Sequence, residues 1–203
     1  MGVGDLVHIV HPYTFQLQGN TLVFGLVEET ESRNAQVKSF LETAVESGSR
    51  LLHHRDRAPD TIEGAMVDVA LRVSEYLETL FRQDVQQVVT THYGVPIPDI
   101  YPDGTSQEFR DFADRTFTKH TPLQKIIGNP RRNFVIGGIY EACVANFANY
   151  YAQYYPMGER KIVCIRELCV SLDEKEQKKI EGWLKSKGVK TISYEEAISL
   201  LKT

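Results

Sequence analysis

The chain has 203 residues, of which 25% are charged and 42% hydrophobic, with a formal net charge of −4. That length supports one well-cored domain, and no linker divides it, so residues 1–203 are expected to form a single domain. The mildly acidic balance argues against a nucleic-acid or anionic-membrane binder, and no apolar run is long enough to span a bilayer. The start, Met1 to Val10, has neither a basic leader nor a long apolar core, and Leu6 stands where a myristoylation signal needs Ser or Thr. Cys143, Cys164 and Cys169 form no CxxC pair and no disulfide framework, which fits a reducing, cytoplasmic location.

In chain order, Leu6 to Val10 is apolar and β-branched enough for a first strand, and Pro12 ends it. Gly19-Asn20 marks a turn, followed by a second apolar run, Thr21 to Val27. Val37, Phe40, Leu41, Ala44 and Val45 recur at helical spacing, so Asn34 to Ser47 is expected as a helix that Gly48 terminates. Arg50 to His54 is a short strand, and Arg55 to Asp60 a polar loop. Thr61 to Arg82 is the longest helical pattern. Val85 to Thr90 reads as a strand or the end of that helical region, and Tyr93 to Thr105 as a Pro- and Gly-rich loop. Ser106 to Ala113 is a short helix, Arg115 to Lys119 is strand-like, and Pro122 to Ile127 is a brief turn or helix. Arg131-Arg132 reads as a solvated turn. From there strands and helices alternate: strand Asn133 to Gly137, helix Ala142 to Tyr154, strand Lys161 to Arg166, helix Asp173 to Lys187, strand Val189 to Ile192, helix Tyr194 to Leu201. Asp173 to Lys179 is an exposed helix face. The alternation predicts an α/β fold, a three-layer α/β/α sandwich with a mostly parallel central sheet. In such sheets ligands bind beyond the carboxyl ends of the strands.

Cys143 lies just past one of these ends, behind a glycine pair and where a helix begins. A helix start stabilises a thiolate, the reactive form of cysteine; a small buried residue under a sheet is the other reading. The run Gly137-Gly-Ile-Tyr-Glu-Ala-Cys143-Val144 resembles the nucleophile motif of the isochorismatase-like cysteine hydrolases, which include nicotinamidases: a strand, a glycine, five variable residues, then Cys-Val opening a helix. Phe15 to Leu22, Leu51 to Asp56, Phe117 to Lys119, and Lys161 to Ile165 with Asp173 to Leu201 are similar to further family blocks in the same order. The resemblance implies Cys143 as nucleophile, Lys119 as its cationic partner, a cis peptide between Gly138 and Ile139, and an oxyanion hole from the amides of Ile139 and Cys143.

The family's aspartate, at the end of the first strand, has no counterpart. Its position falls on Val10 by the distance to Phe15, or on His11 by the end of the apolar run. His11, or a group the sequence does not identify, is expected to move protons, since imidazole titrates near neutrality; the other reading of His11 is a hydrogen-bonded core histidine. Metal-binding members carry Asp-x-His after the second strand; here the stretch reads Asp56-Arg57-Ala58. His53 and His54 are adjacent on a strand and point to opposite faces. No metal and no cofactor are expected. Phe147, Tyr150, Tyr151, Tyr154 and Tyr155 recur at helical spacing as core plus a subunit interface, which with the resemblance suggests a homo-oligomer. The leading expectation is a hydrolase with a cysteine nucleophile acting on a small-molecule amide or related C–N bond. The alternatives are a catalytically inactive member of the same fold serving as a binding or assembly protein, and an unrelated doubly wound ligand-binding domain. The chain has neither GxGxxG nor a P-loop to support the last.

Overall fold

A computed structural model describes residues 4–10, 15–18, 21–24, 30–56, 86–90, 127–154, 161–171 and 173–203. The elements are β1 (Leu6–Val10), β2 (Phe15–Gln18), β3 (Thr21–Phe24), α1 (Thr30–Glu46), β4 (Arg50–Asp56), β5 (Gln86–Thr90), β6 (Arg132–Gly138), a π-helical turn (Tyr140–Val144) running into α2 (Ala145–Tyr154), β7 (Lys161–Val170), α3 (Glu174–Ser186), β8 (Lys190–Ile192) and α4 (Tyr194–Leu201). β2 and β3 pair antiparallel from Gln18↔Thr21 outward. Six strands form one sheet in the order β5-β4-β1-β6-β7-β8, and every pairing in it is parallel.

This order places the site. From β1 the chain moves outward to β4 and β5, then returns to lay β6 on the other side of β1 and continues to β7 and β8. Parallel crossovers are right-handed, so the connections on the two sides of β1 lie on opposite faces of the sheet. Accordingly α1 and α4 cover one face, where Val37, Phe40, Leu41, Ala44, Ala197 and Leu201 pack on Val7, Ile9, Phe134 and Ile136. The π-helical turn, α2 and α3 cover the other, where Tyr140, Val144, Phe147, Tyr151 and Leu184 pack on Leu6, Val10, Leu52 and Val135. The strand order changes direction between β1 and β6, the switch point beyond whose carboxyl ends sheets of this kind form their ligand crevice.

Most of the expected elements form, with shifted ends. α1 begins at Thr30 rather than Asn34, and β4 continues to Asp56. Two helices end in the same hydrogen-bonded turn. Gly48 (φ +82°) gives its N–H to the Val45 carbonyl while Ser49 reaches Ala44; beyond α3, Gly188 bonds to Lys185 and Val189 to Leu184. Each leads into a parallel strand two residues later. β7 outruns its expected end at Arg166 because it carries a wide bulge. Between the pairs Val135↔Cys164 and Gly137↔Cys169, β6 advances two residues and β7 five. The surplus sends Arg166 to an ion pair with Glu181 of α3 (2.6 Å) and Glu167 to the backbone N–H of Tyr194, at the start of α4 (2.9 Å).

Arg131 and Arg132 do not form a solvated turn. Both guanidinium groups clamp the Asp5 carboxylate at the amino-terminal edge of the sheet, Arg132 at 2.7 and 3.0 Å and Arg131 at 3.1 and 3.2 Å, and Arg132 is itself buried. Asp173 to Lys179 is an exposed face, as expected, apart from half-buried Gln177. The expected elements at Thr61 to Arg82, Tyr93 to Thr105, Ser106 to Ala113 and Arg115 to Lys119 lie outside the described residues.

Candidate active site

The carboxyl edge of the sheet presents one row of residues in register: His54 on β4, Val10 on β1, Gly137 on β6 and Cys169 on β7. Gly137 has φ +129°, and a Cβ there would lie 2.1 Å from the Val10 carbonyl oxygen, so only glycine lets β6 close on the end of β1. The Gly138–Ile139 peptide bond is cis, as the resemblance implies.

The chain then enters the π-helical turn. The Ile139 carbonyl accepts from the N–H of Ala142 (3.2 Å) and of Val144 (3.1 Å), the residues on either side of Cys143, and the Ala145 N–H bonds to the Tyr140 carbonyl. The helical region therefore starts at Tyr140, earlier than the expected Ala142, and its first turn is wider than an α-turn. Cys143 is half-buried and packs against the core cluster that contains Val10, Val144 and Phe147. It stands in the first turn of the helical region, where the unsatisfied amides of a helix start favour negative charge. Glu141, two residues earlier, accepts a hydrogen bond from the Ser171 hydroxyl just beyond β7. Residues two apart on a helical turn do not share a face, so Glu141 and Cys143 serve different sides of it.

The other cysteines are core residues. Cys164 and Cys169 are buried on β7; burial pushes the Cys164 thiol up to about 12 and raises Cys169 strongly as well, which keeps both protonated and unreactive. Phe147, Tyr150 and Tyr151 are buried within the chain, so they supply core rather than a subunit interface; Tyr155 and the Tyr154 side chain lie outside the described residues, as do His11 and Lys119. Among the described residues no group of three His, Cys, Asp or Glu side chains gathers at metal-binding distances. His53 and His54 do face opposite sides of the sheet, following Leu51 and Leu52 respectively.

Beneath the site lies a set of polar groups that the sequence reading passed over. His8, His54 and Asn133 are all buried on the α2 face. His8 Nδ1 lies 2.9 Å from His54 Nε2, and His8 Nε2 lies 3.1 Å from Asn133 Oδ1, which also accepts from the Tyr151 hydroxyl at 3.1 Å. The chain of bonds climbs diagonally across three strands, from Asn133 on β6 through His8 on β1 to His54 at the carboxyl edge of β4. The Phe147 ring packs on both imidazoles, with centroids 4.4 Å from His54 and 5.0 Å from His8. Burial holds His8 neutral, its pKa lowered to about 4, against the opposing pull of the Asn133 hydrogen bond; the charge of Arg50 adds to the lowering. One sequence signal was available: a histidine in the otherwise apolar strand Leu-Val-His-Ile-Val, where an unpartnered imidazole would be costly.

No family profile and no curated protein sequence matches the chain. Solved structures do. An isochorismatase-hydrolase-type protein from Oleispira antarctica superposes with a TM-score of 0.64 at 12% identity, covering 98% of each chain. The chain has the isochorismatase-like fold. An isochorismatase family protein from Desulfovibrio vulgaris covers 100% of both chains with a TM-score of 0.58 at 13% identity. The nicotinamidase of Staphylococcus aureus covers 95% of this chain and all of its own, with a TM-score of 0.53 at 13% identity. The likeness extends over both halves of the doubly wound sheet.

Proposed function

We propose that the protein is a cysteine hydrolase that cleaves a small amide or related C–N bond, with Cys143 as nucleophile. The observation that carries this reading is the placement of Cys143: half-buried, in the first helical turn after β6, past the carboxyl end of the strand that pairs with β1 at the switch point of the sheet. A thiol there is reachable by a small molecule, and the helix start favours its thiolate. By the resemblance, the Ile139 and Cys143 amides are the candidate oxyanion donors. Lys119 and His11 remain the candidate cation and base from the sequence. The nicotinamidase among the similar structures makes nicotinamide a sensible first substrate to try.

A second reading is an inactive protein of this fold that binds without cleaving. It is favoured by Val10, a buried aliphatic residue at the very end of β1, and His11, the two positions on which the family aspartate falls, neither of them a carboxylate. Alkylation separates the two. In a hydrolase, iodoacetamide modifies Cys143 at about pH 7 far faster than Cys164 or Cys169, and Cys143→Ser abolishes release of ammonia from simple amides. If Cys143 reacts only as fast as an ordinary thiol of pKa about 8.5, the binding reading stands instead.

A further inference from the structure

We propose that His54 is the proton acceptor for Cys143 and that His8, Asn133 and Tyr151 are positioning residues that fix its tautomer. This rests on the cysteine-hydrolase reading and deepens it, putting His54 in the place of His11 as the base.

The argument starts from the bonds. With the Asn133 carbonyl oxygen facing His8, the His8 Nε2–H is the donor of that contact, so neutral His8 presents the lone pair of Nδ1. The His54 Nε2–H must then donate to it. Neutral His54 consequently bears its own lone pair on Nδ1. The Tyr151 hydroxyl, which donates to the same Asn133 oxygen, anchors the lower end. Each partner thus sets the tautomer of the next, and the product is a base with a defined basic atom at the carboxyl edge of the sheet.

The register puts that atom's residue in the right place. His54 pairs with Val10 and stands in the same row as Gly137, the row at the carboxyl edge of the sheet. Its side chain is on the α2 face, against Phe147, and Cys143 precedes Phe147 by one helical turn on the same packed cluster. A buried three-strand polar chain is expensive to bury, and apolar residues at these positions would make a better core. Its upper end, His54, packs on Phe147, one helical turn beyond Cys143, and service to that thiol would give the chain a use.

The proposed steps balance. His54 Nδ1 takes the Sγ–H proton, and the sulfur adds to the amide carbonyl carbon. The imidazolium returns that proton to the departing nitrogen as the C–N bond breaks, leaving a thioester. Water adds next, Nδ1 accepting its proton. The C–S bond breaks and the proton returns to sulfur, releasing the carboxylic acid. While His54 is cationic, its Nε2–H bond to His8 and the His8 bond to Asn133 carry part of the charge downward. Among the described residues, the polar groups facing this pair include Asn133 from β6, Tyr151 from α2 and the charge of Arg50 from β4.

The test is the pH dependence of Cys143 carbamidomethylation by iodoacetamide, followed by mass spectrometry on the full chain. H54Q is expected to slow Cys143 labelling at about pH 7 by about tenfold or more, with the difference vanishing at about pH 10, where any accessible thiol is ionised. H8Q should move the profile the same way but less, and labelling of Cys164 and Cys169 should not change. A wild-type Cys143 no faster than glutathione would sink the hydrolase reading and His54 with it. A fast wild type whose profile H54Q leaves unchanged overturns only the role of His54. Should H54Q fail to fold, imidazole ¹⁵N shifts in the wild type decide: His54 must carry its proton on Nε2, and its Nδ1 signal must move when Cys143 is carbamidomethylated. An Nδ1-protonated His54, or no response, refutes the proposal.

Discussion

At Gly137 one missing methyl group holds the candidate site together. Its backbone has φ +129°, and a Cβ would meet the oxygen, nitrogen and carbon of Val10 at 2.1, 2.9 and 3.0 Å. These are backbone atoms of the neighbouring strand and cannot rotate away. Gly137→Ala should therefore destabilise the fold by about 3 kcal/mol or more, read from urea unfolding, and part β1 from β6 at the crevice. A loss below about 0.5 kcal/mol would mean that the strands do not meet this way. The same residue shows why the site was only half legible in the sequence. A glycine pair before a cysteine announces itself within eight positions. His54 does not, because its bond to His8 joins positions 46 apart and exists only through the β1–β4 register. Strand alternation sent His53 and His54 to opposite faces, but which face would meet α2 is decided by the crossovers, not by local pattern.

Among the elements, α3 is the best specified by its own residues. Asp173 is its N-cap, accepting from the N–H of Lys175 at 2.7 Å and of Glu176 at 3.2 Å, and Gly188 closes it with a left-handed turn. Asp173→Ala should lower stability by about 1 kcal/mol while Asp173→Asn costs little, since asparagine caps nearly as well. Thermal melts followed by circular dichroism distinguish the two, and equal losses would show that the cap bond contributes nothing. Such local signals made α3, β8 and α4 readable almost to the residue. β7 was not. Its bulge goes with the bonds of Arg166 to Glu181 and of Glu167 to the start of α4, and neither partner is visible from the strand. The π-helical turn likewise reads as ordinary helix in sequence, because the shift to wider pairing follows from how Ile139 leaves the sheet. Gly19-Asn20, expected as a turn, lies outside the described residues, between β2 and β3.

For the molecule as a whole, the sheet carries a polar device at each edge, and both respond to acid. At the amino-terminal edge burial raises the Asp5 carboxyl, but its bonds and charges from Arg132 and Arg131 outweigh that and hold it below 3.8. Toward the carboxyl edge His8 is held neutral, its pKa down from 6.5 to about 4. The two signs agree in direction but occupy different windows. Between pH 6.5 and about 4 the unfolded chain binds a proton at His8 that the folded chain refuses, so stability is complete above 6.5 and falls as the pH drops. The Asp5 contribution is present above 3.8 and is lost only as the pH falls through the lowered folded value. Acid unfolding should accordingly begin with a loss of up to about 3 kcal/mol across the His8 window, with a second loss below it. His8→Gln should flatten the first slope whatever its effect on absolute stability, and Asp5→Asn should remove the second. The measurement is unfolding free energy against pH, with a proton NMR titration of His8 beside it. A His8 that titrates in the folded protein near 6.5 would remove the first phase, and with it the case that this buried imidazole serves as a neutral acceptor for His54.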